Sequence, residues 1–196
     1  MNNEITIQAS IISDDTCQFT IDRPVYPGQS VYFSSKNTAA GSPLAEKIFE
    51  IENVVELLVS DTIVKVTKKG NDEWLPMARQ IGSFIRAQLQ SGIPPISGSI
   101  SANLPDEGVL RERIQQLLEE QVNPAVASHG GHVDLIDVKG NRVFLQLGGG
   151  CQGCGMAQVT LRQGIEQMIR KAVPEVGEIL DVTDHAGGRN PYYARQ

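Results

Sequence analysis

The stretch GGGCQGCGMAQVTLRQGIEQMIRKA, residues Gly148 to Ala172, sets two cysteines in a glycine-rich turn directly ahead of a segment with helical spacing. Val159, Leu161, Ile165, Met168 and Ile169 supply the inner side of that helix, and Pro174 ends it. Cys151 and Cys154 are two residues apart, so a tight turn aims both sulfurs to one side. The glycines at 148, 149, 150, 153 and 155 permit the turn and let backbone amides approach sulfur. A helix N-terminus favours thiolate over thiol. The loop suits anionic sulfur, yet a metal or cluster held by thiolates usually takes four of them.

Outward from this loop, His132 to Val138 alternates, Lys139-Gly140-Asn141 turns, and Arg142 to Leu147 returns as the partner strand. Before that hairpin, Asp106 caps a helix whose apolar face is Val109, Leu110, Ile114, Leu117 and Leu118, ending near Asn123-Pro124. After the cysteine helix, Glu178 to Thr183 supplies a third strand. The expected order is αββαβ, with the CxxC loop before the second helix.

From Ser91 to Gly108 the chain reads SGIPPISGSISANLPDEG, whose Ser, Gly and Pro content is that of a linker. Ahead of it, Glu4 to Ser13, Cys17 to Asp22 and the weaker Gln29 to Ser34 read as strands. Ser42 caps a short helix through Leu44, Ile48 and Ile51, with Pro43 in its first turn. Val54 to Val59 and Thr62 to Thr67 form a hairpin, and a longer helix from Asp72 carries Trp74, Met77, Ile81, Ile85 and Leu89 on one face. The fold class expected is α+β, built from two small α/β domains. Their bounds are 1–91 and 108–184, joined by a linker at 92–107 and followed by a flexible tail at 185–196.

A chain of 196 residues with 40% hydrophobic content has room for two such cores. Its net charge of -6 is evenly spread, with 8 basic and 11 acidic side chains in residues 1–100 and 9 and 12 in the rest. Neither half has the basic excess that phosphate binding needs, which argues against nucleic acid as a partner. No apolar run approaches the ~20 residues that cross a bilayer, and MNNEITIQAS lacks the basic and apolar regions of a signal peptide. The expectation is a cytoplasmic protein with no membrane association. The motifs GxxxxGK[ST], HExxH and GxSxG are missing, so the expectation is a protein that is not an enzyme.

Three cysteines, Cys17, Cys151 and Cys154, are too few for a disulfide scaffold. The close pair admits several uses, beside being an incidental small motif. A thiol-disulfide oxidoreductase also sets CxxC at a helix start, although no Pro lies between these cysteines and the strand order differs from the thioredoxin one. A structural zinc site could enlist His129 and His132 from SHGGHVD, whose spacing of two is tighter than that of zinc fingers. An iron-sulfur cluster shared by two chains would take two thiolates from each, making a homodimer with the cluster on its two-fold axis. Cys17, in a strand-like run of the other domain, reads as a buried small residue.

Leu110 to Thr183 resembles the Nfu-type domain, also called the C-terminal domain of NifU. The resemblance is carried by its helix, HGGH turn and hairpin, and above all by GGGCQGCGMAQVTLRQGIEQMI followed by PEV. Met1 to Gly92 is similar to the N-terminal domain often joined to it, through RPVYPGQSVYFSS, SPLAEKIFEIENV and IVKVTK before Trp74. The ending DHAGGRNPYY is similar to that of bacterial members, while SDDTCQF departs from the Pro-Asn-rich turn frequent in such N-terminal domains. The resemblance implies a carrier that receives a 4Fe-4S cluster from a scaffold protein and passes it to apo-proteins. It implies one cluster per homodimer, and carries over as ligands Cys151 and Cys154 only. With no reactive group in evidence, the N-terminal domain is expected to be a docking module.

Overall fold

A computed structural model of the protein describes residues 4–128, 130–149 and 155–183, without the side chains of Ser101 and 155–161. The chain forms two compact units, Met1–Leu104 and Pro105–Gln196. Both mix helix and sheet, as the α+β reading expects.

The first unit holds strands β1 (Ile7–Ser13), β2 (Thr16–Ile21), β3 (Tyr26–Phe33), β4 (Val54–Asp61) and β5 (Ile63–Lys68). They form one antiparallel sheet in the order β1-β2-β5-β4-β3. Alternation drives one face inward: in β2, Cys17, Phe19 and Ile21 are buried and the residues between them are not. Helices α1 (Pro43–Ile48) and α2 (Trp74–Ser91) complete this core. Leu44 and Ile48 come from α1 and Trp74, Met77, Ile81 and Ile85 from α2, the spacing expected of one helix face. Gly92 ends α2 at φ +70, a conformation that glycine adopts without strain.

Part of the segment read as a linker is folded against this unit. Ile96, only 3% exposed, joins the core, and Gly98–Ala102 makes a short helix, α3. Leu44 N donates to Pro95 O at 3.2 Å and Ser97 N donates to Ser42 Oγ at 3.1 Å. Ser42 is the N-cap of α1, but its hydroxyl holds this segment, while Glu46 closes the helix start by accepting from Gly41 N at 2.9 Å. Pro and Gly keep such a segment out of long elements without preventing one apolar side chain from burying.

The second unit begins with α4 (Glu107–Leu117), capped as expected by Asp106, which accepts from Gly108 N at 2.8 Å. The helix does not end at Asn123-Pro124. It widens into a π turn at Leu118–Val122, where Asn123 N donates to Leu118 O, and resumes as α5 (Asn123–Ala127) with Pro124 in its first turn. A proline ends a regular helix because it lacks an N–H, whereas at the start of a new helical segment that donor is not required. The π turn supplies such a restart.

Strands β6 (Gly131–Lys139) and β7 (Arg142–Gly149) pair antiparallel, and β8 (Ile179–Asp181) joins β7 in parallel, in the order β6-β7-β8. A parallel neighbour needs a crossover, here α6 (Gly155–Ala172). The αββαβ order follows the sequence reading. Leu110, Ile114 and Leu117 of α4, Val133 and Val138 of β6, Val143, Leu145 and Leu147 of β7, and Ile165 and Ile169 of α6 form one core. The third strand, expected over Glu178 to Thr183, pairs over Ile179–Asp181, and Val182 N still donates to Leu145 O at 2.8 Å. Thr183 also serves β7, since Leu147 N donates to Thr183 Oγ1 at 2.6 Å.

Asn123 binds the outer strand: its Nδ2 donates to Val133 O at 3.1 Å and its Oδ1 accepts from Val133 N at 2.8 Å. Both bonds lie where β6 has no strand neighbour. Asn123→Ala is expected to cost about 2 kcal/mol, because two part-buried backbone groups lose their partner at once. Chemical denaturation followed by circular dichroism checks this.

Among the described residues no helix is long and apolar enough to cross a membrane.

Candidate functional site

Strand β7 is the middle strand of its sheet, and its last residue is Gly149. Helix α6 begins at Gly155. Cys151 and Cys154 therefore belong to the short junction between a central strand and the N-terminus of its crossover helix, and they lie outside the described residues, as does His129. The described geometry is that of the two elements holding the junction's ends.

The strand and the helix are each anchored in the second unit's core. On the strand side the pairing runs to the glycines, with His132 opposite Gly148 and Gly131 opposite Gly149. Leu145 and Leu147 are buried behind them. The HGGH turn that leads into β6 needs its second residue to be glycine, since Gly130 takes φ +69 and donates its N–H to Ala127 O at 2.9 Å. On the helix side, Ile165 and Ile169 anchor α6, at 3% and 0% exposure. Arg170 Nη1 donates to Val176 O and Gly177 O at 3.2 and 2.6 Å, tying the helix's last turn to the loop ahead of β8. An 18-residue helix directs the positive end of its dipole toward the residues before Gly155.

His132 is on the open face of the sheet. Its Nε2 lies 2.8 Å from Asp134 Oδ1, and both side chains are more than half exposed. The sequence reading singled out the histidine and missed the acid, although residues i and i+2 of a strand share a face. A contact this exposed adds little stability. Among the described residues no group of three or more His, Cys, Asp or Glu side chains is placed to hold a metal ion.

Cys17 is 1% exposed within the first unit's core. Burial pushes its thiol pKa up, disfavouring the thiolate that binds metals or attacks disulfides. It behaves as the small core residue that its position in β2 suggests.

Comparison with known proteins matches residues 114–180 to the NifU-like domain and residues 10–92 to the scaffold protein Nfu/NifU N-terminal domain. The Fe/S biogenesis protein NfuA of Stenotrophomonas maltophilia is 36% identical over 199 aligned residues, covering 96% of this chain and 98% of that protein. The NfuA of Pseudomonas savastanoi is 50% identical over 88 residues, 43% of this chain and 45% of that one. Among solved structures, a NifU-like protein from Saccharomyces cerevisiae aligns with 50% of this chain and 91% of its own at 20% identity, with a TM-score of 0.43. With both domain types matched in order and one relative aligned along nearly its whole length, the chain belongs to the Nfu family, an Nfu/NifU N-terminal domain followed by a NifU-like domain.

Proposed function

We propose that this protein is an iron-sulfur cluster carrier: two copies hold one 4Fe-4S cluster through Cys151 and Cys154 of each, and deliver it to apo-proteins. The observation that carries the reading is the cysteine inventory. The chain has three cysteines, and Cys17 is walled into the first unit's core. A cluster that needs four thiolates can take at most two from each chain, so the remaining pair comes from a second copy. The full-length relatives named Fe/S biogenesis proteins support the same use.

Soft thiolate donors suit the iron of a cluster better than they suit hard cations. A helix dipole next to the pair favours the deprotonated form that ligation requires. Handover is ligand exchange: a thiolate of the acceptor forms an Fe–S bond as the bond to Cys151 or Cys154 breaks, and no electron changes hands. Dimerisation and cluster binding are linked, because the ligand set exists only when two chains meet. The cluster is received from a scaffold protein in the cytoplasm, and the protein turns over no substrate of its own.

The test is transfer. Cluster-loaded protein mixed with an apo-4Fe-4S enzyme should restore that enzyme's activity in the presence of an iron chelator. Activation quenched by the chelator would mean that iron was released and rebuilt, and would overturn direct delivery. A colourless protein that reduces disulfides would replace the reading with a dithiol oxidoreductase.

A further inference from the structure

The two edges of the first unit's sheet are built differently. On β3, Pro27 has no N–H, Gly28 takes φ +68, and the pairing with β4 slips between Tyr26 and Ser30. Proline and irregular pairing are devices that keep an edge strand from recruiting a neighbour. Strand β1, at the other edge, has neither over Ile7–Ile11. That run, Ile-Gln-Ala-Ser-Ile, has no charge, no proline and no glycine. It pairs in unbroken register from Ile7 opposite Ile21 to Ile11 opposite Cys17, and slips only beyond Ile11. Its outer backbone groups form an uninterrupted row open to another strand.

The side chains of β1 point the same way. Ile7, Ala9 and Ile11 share the face of Ile21, Phe19 and Cys17, which are all buried, yet Ile11 is 65% exposed. The sheet's apolar row thus runs past the cover supplied by the helices. Ile12 is 58% exposed, and Leu75 is 62% exposed beside Trp74, whose indole donates to Asp14 O at 3.0 Å. Ile11 and Ile12 are thus two exposed apolar residues in succession at the end of this edge strand, where the pairing slips.

Charge selects the occupant. Glu4 precedes the strand and Asp14 and Asp15 follow it, all three exposed. No described ion pair involves any of them. Three cations lie near them: Arg23 is engaged with the Asp22 carboxylate at 2.8 Å and with Glu4 O at 2.9 Å, Arg86 Nη2 donates to Ile5 O at 3.4 Å, and the buried Lys68, whose charge acts on Asp15, donates to Gly70 O at 2.9 Å. With Asp22 counted, the carboxylates Glu4, Asp14, Asp15 and Asp22 outnumber them. A second copy pairing antiparallel through β1 would set Asp14 and Asp15 of one chain near Glu4 of the other, an acid-on-acid contact at each end. A segment with basic ends meets the opposite field. We propose that β1 accepts, as a sixth strand, an extended segment of another protein that is apolar at alternate positions and flanked by Lys or Arg. The inference rests on the first unit alone and not on the cluster chemistry.

The test uses the full chain without cluster and a fluorescent peptide of about ten residues, alternating Thr with Val or Ile between Lys-Lys ends, in a strand-addition mode. Fluorescence anisotropy should show it binding at least ~10-fold more tightly than the same peptide with Glu-Glu ends, a preference that fades with salt. Hydrogen exchange should slow at alternate β1 amides. Ile11→Thr, at an exposed position, should weaken binding roughly fivefold, and Glu4→Gln with Asp14→Asn should bring the two peptides to within about twofold of each other. Equal binding of a peptide with a central proline, unchanged exchange in β1, or no preference between the two ends would overturn the proposal. So would self-association of the chain through β1, since a second copy would then be the occupant.

Discussion

Cys151→Ala is expected to abolish cluster uptake while leaving both units folded. In the proposed site, shared about a two-fold axis, one substitution in the sequence removes two of the four thiolates. Two thiolates cannot saturate a cubane, so the loss should be nearly complete, and Cys154→Ala should match it. Iron and sulfide analysis after anaerobic reconstitution reads the result, with circular dichroism confirming the fold. Cys17→Ala is the internal control: its side chain is buried in the other unit, so it should load like the parent. A Cys151→Ala protein that retains a full complement of iron would remove the ligand assignment.

The second large effect is expected from Ile169→Ala. Ile169 is 0% exposed, packs within the second unit's core, and lies on the helix that follows the cysteine junction. Truncating a buried isoleucine to alanine costs about 2–5 kcal/mol, part transfer and part cavity. For a unit of this size that lowers the urea midpoint by on the order of 2 M. The chain's single tryptophan, Trp74, belongs to the first unit, so its fluorescence reports that unit alone. Circular dichroism should show early unfolding while the Trp74 transition stays in place. Displacement of both signals together would mean that the units unfold as one.

The parts of the fold visible from residue order are those set by local periodicity. Ile81 and Ile85 of α2, Ile165 and Ile169 of α6, and the alternation of Cys17, Phe19 and Ile21 each announce a buried face before any contact is known. What periodicity cannot convey is which strands meet. The pairing of β2 with β5, Phe19 opposite Val64, joins segments separated by two helical elements, and no local signal specifies it. The continuation of α4 through the π turn was hidden for a related reason. Pro124 is a true helix breaker in a regular ladder, and the restart that admits it is a π turn closed by Asn123 N on Leu118 O, which residue order does not announce. Ser42 also read correctly as a cap position, but its hydroxyl was claimed by Ser97, a partner 55 residues away. Of the candidate site, Cys151 and Cys154 are proposed from the sequence alone, because the spacing of two thiols among glycines is itself the signal. The His132–Asp134 pair follows from strand alternation, since residues i and i+2 share a face.

The central claim is that the cluster is shared between copies, and the mass and composition of the loaded protein test it most directly. Anaerobic reconstitution followed by native mass spectrometry, with iron and acid-labile sulfide measured on the same sample, should give a dimer carrying one cluster, about two irons and two sulfides per chain. Removing the cluster should return the dimer toward monomer, since association and ligation are linked. A monomer bearing a whole cluster, about four irons per chain, would contradict the account, because it would require ligands beyond Cys151 and Cys154 within a single chain.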